Sequence, residues 1–260
     1  MEALVIIFVI ALGLAFGSFL NVCISRLPQH QSIVQPRSRC HHCQAPIADR
    51  DNLPVLSFLL LGGRCRACRG RIAWRYPAIE LATAALWLLC WLRFGPSVQA
   101  VGMAIFAFIV LGLAAMDAET LRLPNSFTIP GIVLGIVYSG AMCPHWFKCA
   151  LRSASWAISV AGVLLAISAF YWVLRRREGI GIGDAKLMAL IAAWLGPTQA
   201  VLVFVLGVLA TAAAGLAVIA RRRRFDGNIP LPFGAFLCAA SLFAMFYGQR
   251  LIYWYLGLYR

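Results

Sequence analysis

The sequence predicts an all-α, multi-pass membrane protein of about eight transmembrane helices, with a small zinc-binding loop domain on its cytoplasmic side. Three observations lead there. The 260 residues are 62% hydrophobic with a mean hydropathy of +0.83. Only 12% are charged, against about 25% in a soluble domain. Polar residues are concentrated in one early insert, and nearly everything after it is apolar runs joined by short connections.

The runs are counted against the roughly 20 apolar residues a spanning helix needs. They fall at about 3–22, 78–94, 99–117, 126–143, 151–174, 184–199, 200–220 and 231–249, the last extending towards Tyr259. The first lacks a preceding basic stretch, and Gly17-Ser18-Phe19 is a poor cleavage site, so it is expected to stay as a span rather than be removed as a signal peptide. Gly196-Pro197 separates the sixth run from the seventh. Three parts follow: a first helix over 1–22, a four-cysteine module over 23–77, and a seven-helix bundle over 78–260.

The net charge of +14 raises nucleic acid as a partner. Its distribution argues otherwise. With the N-terminus outside and eight spans, 18 of the 23 basic residues fall in inner loops, among them Arg122, Arg175, Arg176, Arg177, Lys186 and Arg221 to Arg224. That asymmetry orients a membrane protein and suits anionic lipid at the inner surface. The expected partners therefore include membrane lipids and exclude nucleic acid. Tyr247, Tyr253, Trp254, Tyr255 and Tyr259 suit an interfacial aromatic belt.

Within the insert, Cys40-x-x-Cys43 and Cys65-x-x-Cys68 are 21 residues apart. Two such knuckles suit a tetrahedral zinc ion held by four thiolates, a closed and therefore structural site. A reducing cytoplasmic face disfavours the alternative of a disulfide pair. His41 and His42 are expected to face solvent, because the four cysteines already complete the shell. The remaining cysteines read as packing residues, except that Cys143 and Cys149 share a predicted outer loop where a disulfide is open to them. Gly62-Gly63 suits a tight turn.

Two aspartates stand at the ends of apolar runs. Asp117 closes the third, and Asp184 completes Gly181-Ile182-Gly183-Asp184 before the sixth. Ionisable groups bordering a bilayer are costly and usually face a polar cavity. Counting spans places both on the inner face at one depth, and paired carboxylates can divide acid and base work. Gly181 and Gly183 are expected to allow close backbone approach and positive φ. A helix N-terminus at Asp184 and a C-terminus at Asp117 would favour the ionised form of the first and the neutral form of the second. Capping of the sixth helix by Asp184, and a solvated helix end for Asp117, are the plainer readings of each acid alone. Glu80 and Glu119 are candidates to meet a basic peptide. Lys186, two residues from Asp184, is expected to point away as a surface anchor, and Asn21 to hydrogen-bond between helices.

Taken in order, these segments resemble the type IV prepilin peptidases. The resemblance rests on Gly17-Ser18-Phe19-Leu20-Asn21-Val22 with Arg26-Leu27-Pro28, the cysteine loop enclosing Asn52-Leu53-Pro54-Val55, Arg75-Tyr76-Pro77 with Glu80, Asp117 with Leu123-Pro124-Asn125, and Gly181-x-Gly183-Asp184-x-Lys186. One departure is Asn125, where members often carry Asp. The resemblance implies a bacterial inner-membrane aspartic endopeptidase with a periplasmic N-terminus. It would cleave the basic leader of prepilins or type II secretion pseudopilins after a glycine, at the cytoplasmic face, using Asp117 and Asp184. Many relatives, usually those with the cysteine module, also methylate the new N-terminus with S-adenosylmethionine. No strand–glycine-loop–helix pattern in this sequence places that cofactor.

Other readings remain at this stage. Presenilin-like G-x-G-D proteases lack the cysteine loop and carry tyrosine where Met116 stands. A transporter or proton relay could use the two acids as coupling sites, although no repeated halves are evident. A zinc-bearing adaptor would need neither acid.

Overall fold

The computed structural model describes residues 2–35, 37–176, 181–222 and 231–258. Arg177, Arg223, Arg224, Arg260 and Tyr259 lie outside them. The described residues form helices α1 (Glu2–Arg26), α2 (Leu56–Leu60), α3 (Arg75–Phe94), α4 (Val98–Thr120), α5 (Asn125–Ala141), α6 (Trp146–Arg175), α7 (Ile182–Leu195), α8 (Pro197–Arg222) and α9 (Phe233–Gly257). No sheet forms among them; extended pairing is limited to the bridges Arg39–Pro46 and Arg64–Arg71.

The eight apolar runs each become one helix, but six are long and apolar enough to cross a bilayer. The expectation of about eight full spans is met approximately. The two short ones are α5, with 17 residues, and α7, with 14, about 21 Å of helix for the latter. Helix α7 is buried from Ala185 almost without interruption to Trp194. A helix enclosed by protein has no need to match the lipid thickness. At its far end Gly196 takes φ +83°, and Pro197 opens α8, as the Gly-Pro pair foretold.

The chain divides into two compact units, Met1–Phe108 and Ile109–Arg260. In the first, α1 packs along α3 through two glycines one turn apart. A Cβ on Gly13 would stand 2.6 Å from the Ala84 Cα, and one on Gly17 2.6 Å from the Glu80 Cα. Small residues at this spacing let backbones approach in lipid, where the hydrophobic effect does not drive helices together. Asn21, 3% exposed, adds amide bonds to the Gly17 and Tyr76 carbonyls at 3.3 and 3.0 Å. It is the interhelical hydrogen-bonder expected of it.

The second unit repeats the device. Gly131 and Gly135 of α5 receive Leu190 and Trp194 of α7, and a Cβ at either glycine would fall 2.5–2.6 Å from those side chains. Trp194 Nε1 donates to the Gly131 carbonyl at 2.9 Å, and its ring stacks on Tyr138. From the other side, Ser153 Oγ donates to the Ala193 carbonyl at 2.9 Å. Helix α7 is thus fixed in position, and with it the residues at its N-terminus. Cys143, in the turn between α5 and α6, forms a disulfide with Cys149 near the start of α6.

Candidate active site and metal centre

The second unit holds a cleft of about 250 Å³ lined by Asp117, Leu121, Leu123, Gly181, Gly183, Asp184, Leu231, Phe233 and Gly234. Both aspartates singled out in the sequence face it. Asp117 sits one turn before the end of α4 and is 5% exposed. Asp184 occupies the first turn of α7. The chain leaves α4 through Leu121, whose φ of +54° is unusual for leucine, with its N–H closing on the Asp117 carbonyl at 2.9 Å. That turn carries Leu123 over the cleft, where it meets both Gly183 and Gly234.

The expected division of the acids by helix polarity does not hold. Asp117 does lie near the C-terminus of its own helix, but its carboxylate is received by the N-terminus of another. The Ala235 N–H donates to Asp117 Oδ2 at 2.8 Å, and the Gly234 backbone lies against the same carboxylate. Both acids therefore meet a helix N-terminus, and dipoles alone do not separate them.

The glycines also act differently from expectation. Gly181 has φ −67°, and neither it nor Gly183 takes positive φ. A Cβ on Gly181 would lie 3.2 Å from Asp184 Oδ2, so its hydrogen leaves room for that carboxylate. Gly183 has only ordinary contact with Leu123. The tighter glycine is Gly234, where a Cβ would meet the Asp117 carboxylate at 3.0 Å and Leu123 at 3.1 Å. Sequence reasoning passed over Pro232-Phe233-Gly234-Ala235; the available signal was a Pro and a Gly opening an apolar run.

Lys186 does not project as a free anchor. Its Nζ donates to Asn125 Oδ1 at 2.8 Å, tying α7 to the first residue of α5. Glu119 is exposed just past Asp117. Glu80 belongs to the first unit and is 7% exposed, and its Oε2 accepts the Val55 N–H at 2.7 Å. The pair Glu80 and Glu119 is therefore not gathered with the aspartates in the cleft lining.

The cysteine module closes as the spacing required. The four sulfurs of Cys40, Cys43, Cys65 and Cys68 lie within 4.8 Å of one another, and Cys40 and Cys68 are 3.8 Å apart. A tetrahedron with zinc–sulfur bonds of about 2.3 Å has edges of about 3.8 Å. The two knuckles have the same backbone. Cys40 and Cys65 each donate to a carbonyl five residues on, Ala45 and Gly70, and each accepts from the residue after the second cysteine, Gln44 and Arg69. Gln44 and Arg69 both take φ near +58°. The Cys43 amide, foremost, lowers the Cys40 thiol to about 7, whereas Cys68 stands at about 11 because desolvation and its neighbouring sulfurs outweigh the pull of the Gly70 amide. Crowded thiols that resist ionising together are a donor set completed by a dication. Arg66 braces the second knuckle by a two-pronged bond to Asp51, with contacts of 2.7–3.1 Å, and its guanidinium lowers the Asp51 carboxyl below the usual range. His41 and His42 are exposed, His41 bonding to the Tyr76 hydroxyl at 2.9 Å.

Among the described residues, a helical bundle with two carboxylates on one cleft has the arrangement a membrane aspartic peptidase requires. Comparison with known proteins narrows it. The Bacterial Peptidase A24 N-terminal domain matches residues 11–94, and the Type IV leader peptidase family matches residues 104–216. The chain is 37% identical over 269 residues to a prepilin leader peptidase/N-methyltransferase of Burkholderia pseudomallei, covering 93% of this chain and 85% of that one. Proteins of the same name from Klebsiella pneumoniae and Myxococcus xanthus are 40% and 36% identical, over 71% and 80% of this chain and 82% and 65% of theirs. No solved structure matches. The chain belongs to the type IV leader peptidase family.

Proposed function

We propose that this chain is a membrane aspartic endopeptidase that removes the basic leader of a prepilin or pseudopilin after a glycine, with Asp117 and Asp184 as its catalytic pair. The observation that carries this reading is the meeting of the two carboxylates on one cleft, from positions 67 residues apart. The pair shares one proton. Its ionised member takes a proton from a water whose oxygen attacks the scissile carbonyl. Its protonated member hydrogen-bonds the oxyanion of the tetrahedral intermediate and then gives that one proton to the leaving amine, while the first member keeps the proton taken from water. No covalent acyl-enzyme forms. Ala235 holds Asp117 Oδ2 in place, and Glu119, exposed two residues past Asp117 in α4, is the acid we assign to meet a basic leader.

The functional division we adopt is an anchoring helix over 1–22, a zinc module over 23–77 and the catalytic bundle over 78–260. The module faces the cytoplasm of a bacterial inner-membrane protein whose N-terminus is periplasmic. Cys40, Cys43, Cys65 and Cys68 hold a structural zinc, which adds cohesion to a segment with little core. The disulfide Cys143–Cys149 joins the α5–α6 turn to the start of α6 at the end assigned to the oxidising side, and the reduced cluster is assigned to the other, in keeping with that orientation. The relatives' name includes an N-methyltransferase activity, and we extend it to this chain with S-adenosylmethionine as donor. We assign no residue to the donor, because the described residues include no strand–loop–helix cradle.

The test is cleavage of a prepilin by the purified protein in detergent, followed by loss of the leader on a gel. Wild type should cleave, and Asp117→Asn and Asp184→Asn should each abolish cleavage. Full activity in either variant would overturn the assignment of the pair. No cleavage by wild type of any prepilin would favour the transporter or adaptor readings. Labelled methyl donor in the same reaction reads the second activity.

A further inference from the structure

The loop between the cysteine knuckles has a surface the peptidase reading does not use. Leu56, Leu59 and Leu60 of α2 are 50%, 66% and 76% exposed, and Trp74 is 75% exposed. They belong to one patch, because Phe58 of α2 packs against Trp74 at 4.9 Å between ring centroids. Such a surface hanging in water would be unusual for a rigid, well-bonded loop.

The loop's depth is set by a hydrogen bond. Val55 gives its N–H to Glu80, which lies five residues inside α3 from Arg75, roughly 7.5 Å along the helix axis. Glu80 in turn packs on Gly17, nine residues back from the end of α1 at Arg26, about 13 Å from that end. Both helices are long and apolar enough to span a bilayer. In a leaflet that these helices span to their ends at Arg26 and Arg75, the loop would run alongside them below the level where they leave the lipid. Val55 takes φ +58° to make this bond, a strained choice for a β-branched residue.

The backbone is prepared for that depth. The N–H groups of Leu53, Val55, Ser57, Leu59, Leu61 and Gly63 all donate to protein acceptors. Irregular backbone exposed to lipid is excluded from the hydrocarbon core, so a segment with these satisfied groups belongs at the headgroup–acyl boundary rather than deeper. Gly62 and Gly63, both at positive φ, then turn the chain out. At the two ends of the segment stand exposed Arg50, whose carbonyl accepts from Ser57, and exposed Arg64, whose N–H bonds Leu61. Cations flanking an apolar face match anionic headgroups flanking acyl chains.

We propose that residues 53–61 with Trp74 form a membrane-inserted foot, in which α2 lies in the plane of the leaflet on the cysteine-module side. The foot buries its leucines about 5–10 Å into the headgroup–acyl boundary. Its occupant is lipid, and it is independent of the peptidase reading.

The experiment places a benzophenone-bearing phenylalanine analogue at Leu60 of the full chain, in phosphatidylethanolamine–phosphatidylglycerol vesicles. Illumination is followed by mass spectrometry. Phe8, exposed on α1, is the lipid-facing reference, and exposed Arg69 is the aqueous one. Lipid adducts at Leu60 should match those at Phe8 and exceed those at Arg69 at least about tenfold. Adducts at the Arg69 level would overturn the proposal. So would adducts to added prepilin in preference to lipid, which would make the patch a peptide-docking surface. Should the Leu60 variant fail to fold, the same analogue at Trp74 carries the same two outcomes.

Discussion

Ala235 donates its backbone N–H to Asp117 across 118 positions of sequence, at 2.8 Å. Gly234 makes the approach possible, since a Cβ there would press on the carboxylate at 3.0 Å. Gly234→Ala is therefore expected to displace the Asp117 side chain by a few tenths of an ångström and lower kcat/KM for a prepilin by about 10- to 100-fold. The melting temperature should barely change. Ala235→Gly keeps the same N–H and should stay within about threefold of wild type. Equal activity in both variants would remove Gly234 from the site.

The helices and the two aspartates were legible because their signals are local: apolar runs of membrane length, and acids at their ends. The metal cluster was legible because each knuckle is set by its own C-x-x-C spacing. What was not legible involves partners distant in sequence. Nothing around Asp117 announces that the start of α9 will cap it, so its own helix end gave the wrong polarity. Lys186 is two residues from Asp184 and points elsewhere, as helix geometry required, but its partner Asn125 lies 61 positions away. The paired glycines Gly13 with Gly17 and Gly131 with Gly135 have the four-residue spacing of close-packing helices, a signal that the sequence reading passed over. Their partners became clear only from the packing.

The cysteines should divide in a countable way. Alkylation of the denatured, unreduced and metal-free chain is expected to modify seven of the nine, leaving Cys143 and Cys149. Prior reduction should raise the count to nine. Intact-mass measurement reads both. Nine modifications without reduction would mean that this pair is not bonded in the purified protein.

Metal removal should act on the module first. One zinc per chain is expected by elemental analysis, falling to a small fraction in Cys40→Ser. Structural zinc supplies folding free energy, about 10 kcal/mol or more in small zinc domains. Chelation should therefore expose the arginine-rich second knuckle, Arg64 to Arg71, to trypsin while the apolar helices resist. An unchanged digestion pattern after confirmed metal loss would contradict a structural role.

Gly135 of α5 and Gly162 of α6 predict opposite outcomes for the same substitution. Gly135→Ala would set a methyl group 2.6 Å from Trp194 and should cost about 1–3 kcal/mol by overpacking. Gly162 of α6 has open space around it, so Gly162→Ala should stabilise the helix by about 0.5–1 kcal/mol. Thermal unfolding in one detergent compares them. Because Trp194 anchors α7, the helix that carries Asp184, Gly135→Ala should also lose activity below its melting point, whereas Gly162→Ala should not.

The bond from Lys186 to Asn125 gives a last expectation. It joins the first turn of α7 to the start of α5, and the loop between Leu121 and Pro124 carries Leu123 across the cleft. The bond is exposed, so its contribution to stability should be under about 1 kcal/mol. Its effect should instead be on position: Lys186→Met frees the loop and should lower kcat/KM by about 3- to 10-fold with little change in melting temperature. Asn125→Asp keeps an acceptor for the ammonium and adds an opposite charge, so activity should stay within about twofold of wild type. If Asn125→Asp lost as much activity as Lys186→Met, the contact would not be what holds Leu123 in place. Measuring both variants against the same prepilin, with melting curves alongside, separates positioning from unfolding.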